Sequence, residues 1–133
     1  MNVITLLIPK TQVAYLCEDD SIRQGLEKMH VRSYTAIPVL SKDGHYRGTV
    51  SEGDFLWHIL DRENNSLKDM EMLLIKEVMR ADFNPAVKIG VSMEELLERA
   101  MQQNFVPVVD DREYFIGIVT RQSIIRNLTT MKK

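Results

Sequence analysis

At 133 residues and 44% hydrophobic, the chain is long enough for one compact domain with a core of its own. Its 17 basic and 19 acidic residues leave a net charge of -2, which gives no electrostatic footprint for a nucleic-acid backbone or an anionic membrane. The single cysteine, Cys17, excludes an internal disulfide and is expected to be a small packed side chain in a cytoplasmic protein.

The first apolar run, Val3-Ile4-Thr5-Leu6-Leu7-Ile8, has no basic leader. It is too short for a signal-peptide core or for a membrane span of about 20 residues, so it is expected to belong to the fold, with no targeting signal. Ile22, Gly25, Leu26 and Met29 then fall at i, i+3, i+4 and i+7, which predicts a helix opened by the cap residues Asp20-Ser21. Ala36-Ile37-Pro38-Val39-Leu40 reads as a strand, Ser41-Lys42-Asp43-Gly44 as a hairpin turn, and Tyr46 to Val50 as the returning strand. Because proline cannot donate to a ladder, Pro38 and Pro107 are expected to lie on edge strands or to begin their strands. A helix starting at Ser51 is expected to turn Phe55, Leu56 and Ile59 inward. Asp61 to Ser66 has no apolar side chain and reads as a linker.

Beyond the linker the chain repeats itself. Residues 34–60 lie over 103–129 without a gap at an offset of 69, so that Gly48-Thr49-Val50-Ser51 matches Gly117-Ile118-Val119-Thr120. Phe55, Leu56 and Ile59 match Ile124, Ile125 and Leu128. Ahead of that block the offset is 71: Leu26 matches Leu97 in a second helix with Met93, Leu96, Ala100 and Met101, capped by Ser92, and Ile4, Leu7 and Ile8 match Ile75, Val78 and Met79. A repeat decides the architecture, and two copies are too few for a solenoid. The expectation is an α/β (α+β) fold of two halves, each strand-helix-strand-strand-helix, related by a pseudo-twofold axis with a ligand cleft between them. The boundaries are 1–60 for the first half, 61–72 for the linker and 73–133 for the second.

These features resemble the CBS domain pair, or Bateman module. The residues that carry the likeness are Ile37-Pro38-Val39 and Val106-Pro107-Val108, and the junction G-x-x-[ST]-x-x-D. That junction is complete at Gly48 to Asp54 and ends in Ser123 rather than an acid at Gly117 to Ser123. The resemblance covers nearly the whole chain, which is expected to be the module alone with no enzyme or channel attached. It is particularly similar to the stand-alone proteins of Gram-positive bacteria of the DarB and CbpB type, some of which bind cyclic di-AMP, at Tyr34-Thr35-Ala36 and Thr120-Arg121.

The resemblance implies an adenine nucleotide as ligand. Asp54 would accept ribose hydroxyls, although Ser51-x-x-Asp54 is equally a capping box. Ser51 and Thr120, at helix starts, suit a phosphate. Arg121 is a phosphate contact or else a solvated surface residue, and Lys10 is a weaker candidate. The adenine slot would come from Ala14 with its neighbours, from Tyr34-Thr35-Ala36, and from Ala86 between Pro85 and Val87. Tyr34 would stack on a base or join the core. His30, His45 and His58 are not spaced for a metal, and Trp57 is read as buried packing or a dimer contact. The leading function is a non-catalytic sensor of cyclic di-AMP, with AMP, ADP or ATP second, that acts as a homodimer on a partner protein. The alternative is a dimerisation module with no ligand. No Ser-His-Asp set or glycine-rich phosphate loop supports an enzyme.

Overall fold

Residues 2–32, 34–60, 71–80 and 82–131 are described by the computed structural model, and their elements follow the predicted order. Helix α1 (Val3–Leu6), strand β1 (Ile8–Pro9) and a 3-10 turn at Lys10–Gln12 come first. The first half continues with β2 (Leu16–Cys17), α2 (Ile22–Arg32), β3 (Ala36–Leu40), β4 (Tyr46–Ser51) and α3 (Glu52–Leu60). A 3-10 turn at Ile75–Glu77 leads into β5 (Val87–Lys88), α4 (Met93–Gln102), β6 (Phe105–Val109), β7 (Phe115–Thr120) and α5 (Arg121–Met131). Ser33 and the proposed linker Asp61–Ser66 lie outside the described residues.

The chain divides into two compact units, Ala14–Phe83 and Met1–Val13 with Asn84–Lys133. In the first, β2 runs parallel to β3 and β3 antiparallel to β4. Leu16, Ile22, Met29, Ile37, Val39, Val50, Phe55 and Ile75 form its core. Thr49 is fully buried but satisfied, since the Tyr46 hydroxyl lies 2.6 Å from its Oγ1. In the second unit the strand order is β1-β7-β6-β5. Val3 and Leu6 complete a core made with Val87, Leu96, Val106, Val108, Val119 and Ile124.

The units therefore cut across the repeat boundaries 1–60 and 73–133. The leading segment of the first repeat packs with the second repeat's strands, because β1 pairs with β7 at Ile8↔Ile118 and Pro9↔Gly117. The leading segment of the second repeat supplies Ile75 to the other core and an antiparallel bridge from Arg80 to Thr49.

Two further expectations are corrected. β3 and β6 are central strands, not edges. Their prolines are tolerated because the parallel neighbours reach only Val39–Leu40 and Val108–Val109, beyond Pro38 and Pro107. Of the residues expected to turn inward from the second helices, Phe55 and Ile124 are buried, while Leu56, Ile125 and Leu128 are 54, 62 and 46% exposed.

The helices open as predicted. Ser21 and Gln24 form a reciprocal cap, with Gln24 N–H donating to Ser21 Oγ at 3.1 Å and Ser21 N–H to Gln24 Oε1 at 2.8 Å. Ser92 Oγ accepts from Glu95 N–H at 3.1 Å.

Gly48 and Gly117 both have φ of 154°, and each lies where the leading segment crosses its strand. A Cβ on Gly117 would sit 2.2 Å from the Ile8 carbonyl oxygen, whereas one on Gly48 would first meet the flexible Met79 Cε at 3.3 Å. Alanine at either position carries backbone strain of about 1–3 kcal/mol. Gly117→Ala also forces β1 off β7, so its melting temperature is expected to fall further than that of Gly48→Ala in parallel thermal denaturation. Equal losses would mean that the crossing at Ile8 is loose.

Candidate functional site

In the unit Ala14–Phe83, the end of β4 runs into α3 with no intervening loop, so the first turn of that helix must find partners for its free N–H groups in the neighbouring strand and in side chains. Ser51 Oγ accepts from Asp54 N–H at 3.3 Å, and Asp54 Oδ2 accepts from Ser51 N–H at 2.8 Å and from its hydroxyl at 3.1 Å. The capping box is thus formed. Asp54 does more, since its Oδ1 pairs with Arg80 Nε at 2.7 Å. The Asp54 side chain is only 7% exposed, whereas that of Arg80 is 59% exposed and its guanidinium lies 4.1 Å from the centroid of the Phe83 ring.

Strand register brings Thr35 and Ala36 to the same junction. Ala36 pairs with Ser51, and Glu52 N–H donates to the Thr35 carbonyl at 2.9 Å. Beside them opens a groove of about 380 Å³ lined by Ser51, Asp54, Trp57, His58, Glu77 and Arg80 among others. His58 Nε2 is shielded from solvent and has no hydrogen-bond partner among the described residues. Trp57 is 65% exposed, which overturns its reading as buried packing. Ala14 is half-buried against the core ahead of β2, and Tyr34 is 37% exposed ahead of β3, so neither is a core residue.

In the other unit the equivalent junction is closed by Thr120 and Ser123. Thr120 N–H donates to Ser123 Oγ and Ser123 N–H to Thr120 Oγ1, both at 3.0 Å, while the Ser123 hydroxyl donates to the Thr120 carbonyl at 2.8 Å. Serine therefore does the capping work of Asp54 with a single oxygen, whose proton is already given to the Thr120 carbonyl.

Arg121 is exposed, yet its guanidinium is anchored. Its Nε donates to the Ala100 carbonyl at 2.7 Å and its Nη2 to that of Met101 at 3.1 Å, placing the cation at the negative end of α4. Among the described residues, these contacts take two of its five N–H groups and leave three. Alongside runs an apolar groove of about 290 Å³ lined by Leu97, Ala100, Met101, Arg121, Ile124 and Ile125.

Ala86 is half-buried ahead of β5. Gln103 Nε2 fixes the backbone before it by donating to Asn84 Oδ1 at 2.6 Å and the Pro85 carbonyl at 3.3 Å. Lys10 opens the 3-10 turn that follows β1.

The structure thus assembles Thr35, Ala36, Ser51 and Asp54 in one unit, and places Thr120 and Arg121 together in the other. Sequence reasoning missed Arg80. Its partner is 26 positions away, and its repeat equivalent is Pro9, so the repeat gave no sign of it. No cluster of three or more His, Cys, Asp or Glu fit for a metal occurs among the described residues, and no helix among them is long and apolar enough to cross a membrane.

Comparison with known proteins agrees with this architecture. The chain is 25% identical over 122 residues to Cyclic di-AMP receptor B of Bacillus subtilis (strain 168), covering 92% of this chain and 82% of that protein. It is 26% identical to the Listeria monocytogenes CbpB protein solved in complex with c-di-AMP, with a TM-score of 0.82 over 94% of this chain and 92% of that one. A hypothetical conserved protein of Geobacillus kaustophilus is 27% identical with a TM-score of 0.87, covering 98% of both chains. The CBS domain pattern matches residues 6–61 and again 75–130. With both matches falling on the observed repeats and spanning most of the sequence, the chain belongs to the CBS domain family.

Proposed function

We propose that this chain is a non-catalytic sensor of an adenine nucleotide, cyclic di-AMP first and AMP, ADP or ATP second, that regulates a partner protein in the cytoplasm. The observation that supports it most is the likeness, over nearly the full length, to a CbpB protein whose structure holds c-di-AMP. The local chemistry agrees. Both strand-to-helix junctions present capped helix starts, Ser51 and Thr120, with an arginine nearby, Arg80 in one unit and Arg121 in the other. Ala14, Tyr34, Thr35 and Ala36 in one unit, and separately Ala86 in the other, offer surface suited to a base. Mononucleotides are kept as the second reading because Asp54 retains the carboxylate that a free ribose diol requires, whereas a cyclic dinucleotide has no free 3′-hydroxyl.

A thermal-shift panel of cyclic di-AMP, cyclic di-GMP, AMP, ADP and ATP tests the reading. A true ligand at 100 times its dissociation constant is expected to add about 2.7 kcal/mol of stability. No shift with any adenine nucleotide removes the sensor function and leaves the dimerisation module.

If cyclic di-AMP is the ligand, Arg121→Ala is expected to weaken it more than Asp54→Ala, by about 1.5–3 kcal/mol for a charge-assisted phosphate contact. If a mononucleotide is the ligand, the order reverses. Both variants lose stability as well, about 1 kcal/mol for the cap at Asp54. Calorimetry on protein shown to be folded therefore separates binding from folding. The control Asp54→Asn keeps an oxygen for the cap and discards the charge.

We also propose a homodimer formed through the exposed apolar faces of α3 and α5. Leu56, Trp57 and Leu60 are 54, 65 and 63% exposed, and Ile125 and Leu128 are 62 and 46% exposed. Exposed apolar side chains gathered on each of these helices are the kind of surface that marks an interface. Light scattering at micromolar concentration is expected to show a dimer for the wild type and a monomer for the double variant Leu60→Glu, Ile125→Glu. A monomeric wild type refutes the assignment.

A further inference from the structure

We propose that Arg80 selects phosphorylated ligands over unphosphorylated ones at the Asp54 site. This rests on the nucleotide reading and adds a residue which neither the repeat nor the junction motif indicates. Asp54 Oδ2 is committed to Ser51, so Oδ1 is the oxygen left for a ligand hydroxyl, and Oδ1 already carries Arg80 Nε at 2.7 Å. A sugar hydroxyl must share that oxygen or displace Nε from it. Either way the guanidinium loses part of its hold on the carboxylate, and a ligand phosphate is the group that restores the lost contact. A nucleoside brings no such group.

The side chain is built for this task. Asp54 holds its Nε edge, Phe83 supports one face at 4.1 Å, and the remainder of the side chain is open to solvent. Among the described residues this contact takes one N–H of five, so four are available in the planar fork that matches a phosphate.

Charge in the adjoining groove points the same way. Its charged lining is Asp54, Glu77 and Arg80, with His58 the further titratable group. Glu77 keeps its carboxylate turned to the Leu74 N–H at 2.7 Å. Without Arg80 the groove presents two carboxylates and repels a phosphate. With it, the groove carries one cation at its exposed side. The pairing is also confined to one repeat, because Pro9 and Ser123 stand at the equivalent positions of the other.

The test is calorimetry of AMP and adenosine against wild type, Arg80→Ala and Arg80→Lys, with circular dichroism to confirm folding and cyclic di-AMP as a third probe. Wild type is expected to prefer AMP to adenosine. Arg80→Ala should weaken AMP by about 10- to 100-fold, the worth of one charge-assisted hydrogen bond, and should leave adenosine unchanged or tighter, so that the preference collapses. Arg80→Lys should recover part of it, since the charge returns without the fork. A preference that survives in Arg80→Ala, or an equal loss for both ligands, overturns the role of Arg80 while the nucleotide reading stands. Wild type that binds cyclic di-AMP but not AMP overturns that role in the same way. If wild type binds none of the three, both the reading and this inference fall.

Discussion

A strand that becomes a helix without a loop leaves the first N–H groups of that helix to be met by the neighbouring strand or by side chains, and this constraint recurs in both repeats. β4 ends at Ser51 and α3 begins at Glu52; β7 ends at Thr120 and α5 begins at Arg121. In each case a hydroxyl at the junction and the side chain three residues on satisfy one another's backbone. The geometry dictates which residue types can stand there, and so it dictates which functional groups the junction can show a ligand. Aspartate has a second oxygen to spare after capping. Serine, donating to the Thr120 carbonyl and accepting from its N–H, has none.

The glycines before the junctions belong to the same constraint. β4 and β7 must each pass close under a segment from the other end of the repeat pattern, residues 79–80 for one and 8–9 for the other. At Gly117 that approach leaves no room for a side chain against the Ile8 carbonyl. This exchange of leading segments is why the compact units differ from the sequence repeats. The apolar run at the N-terminus finds its partners at Val87, Val106 and Val119, and Ile75 finds its own at Leu16 and Ile37.

Much of this was legible in the sequence, for identifiable reasons. The repeat located both hairpins, because period-2 runs bounded by turn residues are local signals and were seen twice. The caps at Ser21, Ser92, Ser51 and Thr120 were legible because their partners lie three residues away. What the sequence hid was the long-range part. Helical spacing marks an apolar stripe without saying what covers it, so Leu56, Ile125 and Leu128 were expected in the core and are exposed. The prolines in β3 and β6 suggested edges, because strand length sets where pairing stops, and β2 and β5 are only two residues long. Arg80 and the hydrogen bonds of Arg121 depend on tertiary placement alone.

Those two arginines show what separates the halves chemically. Each is anchored by one edge and keeps the rest of its fork, a division of labour that a lysine's single ammonium cannot reproduce. Arg80 is anchored on a carboxylate, so its charge is partly neutralised and its partner is itself a potential hydrogen-bond acceptor for a sugar. Arg121 is anchored on the carbonyls that end α4, which carry only the partial charge of a helix terminus. Its cation is correspondingly less neutralised, and the residue beside it on the junction, Ser123, carries no charge. One junction therefore sets a carboxylate against its cation, and the other sets its cation against backbone carbonyls alone. That chemical difference, a carboxylate beside one arginine and a helix end beside the other, is what separates two junctions that the repeat makes alike in backbone.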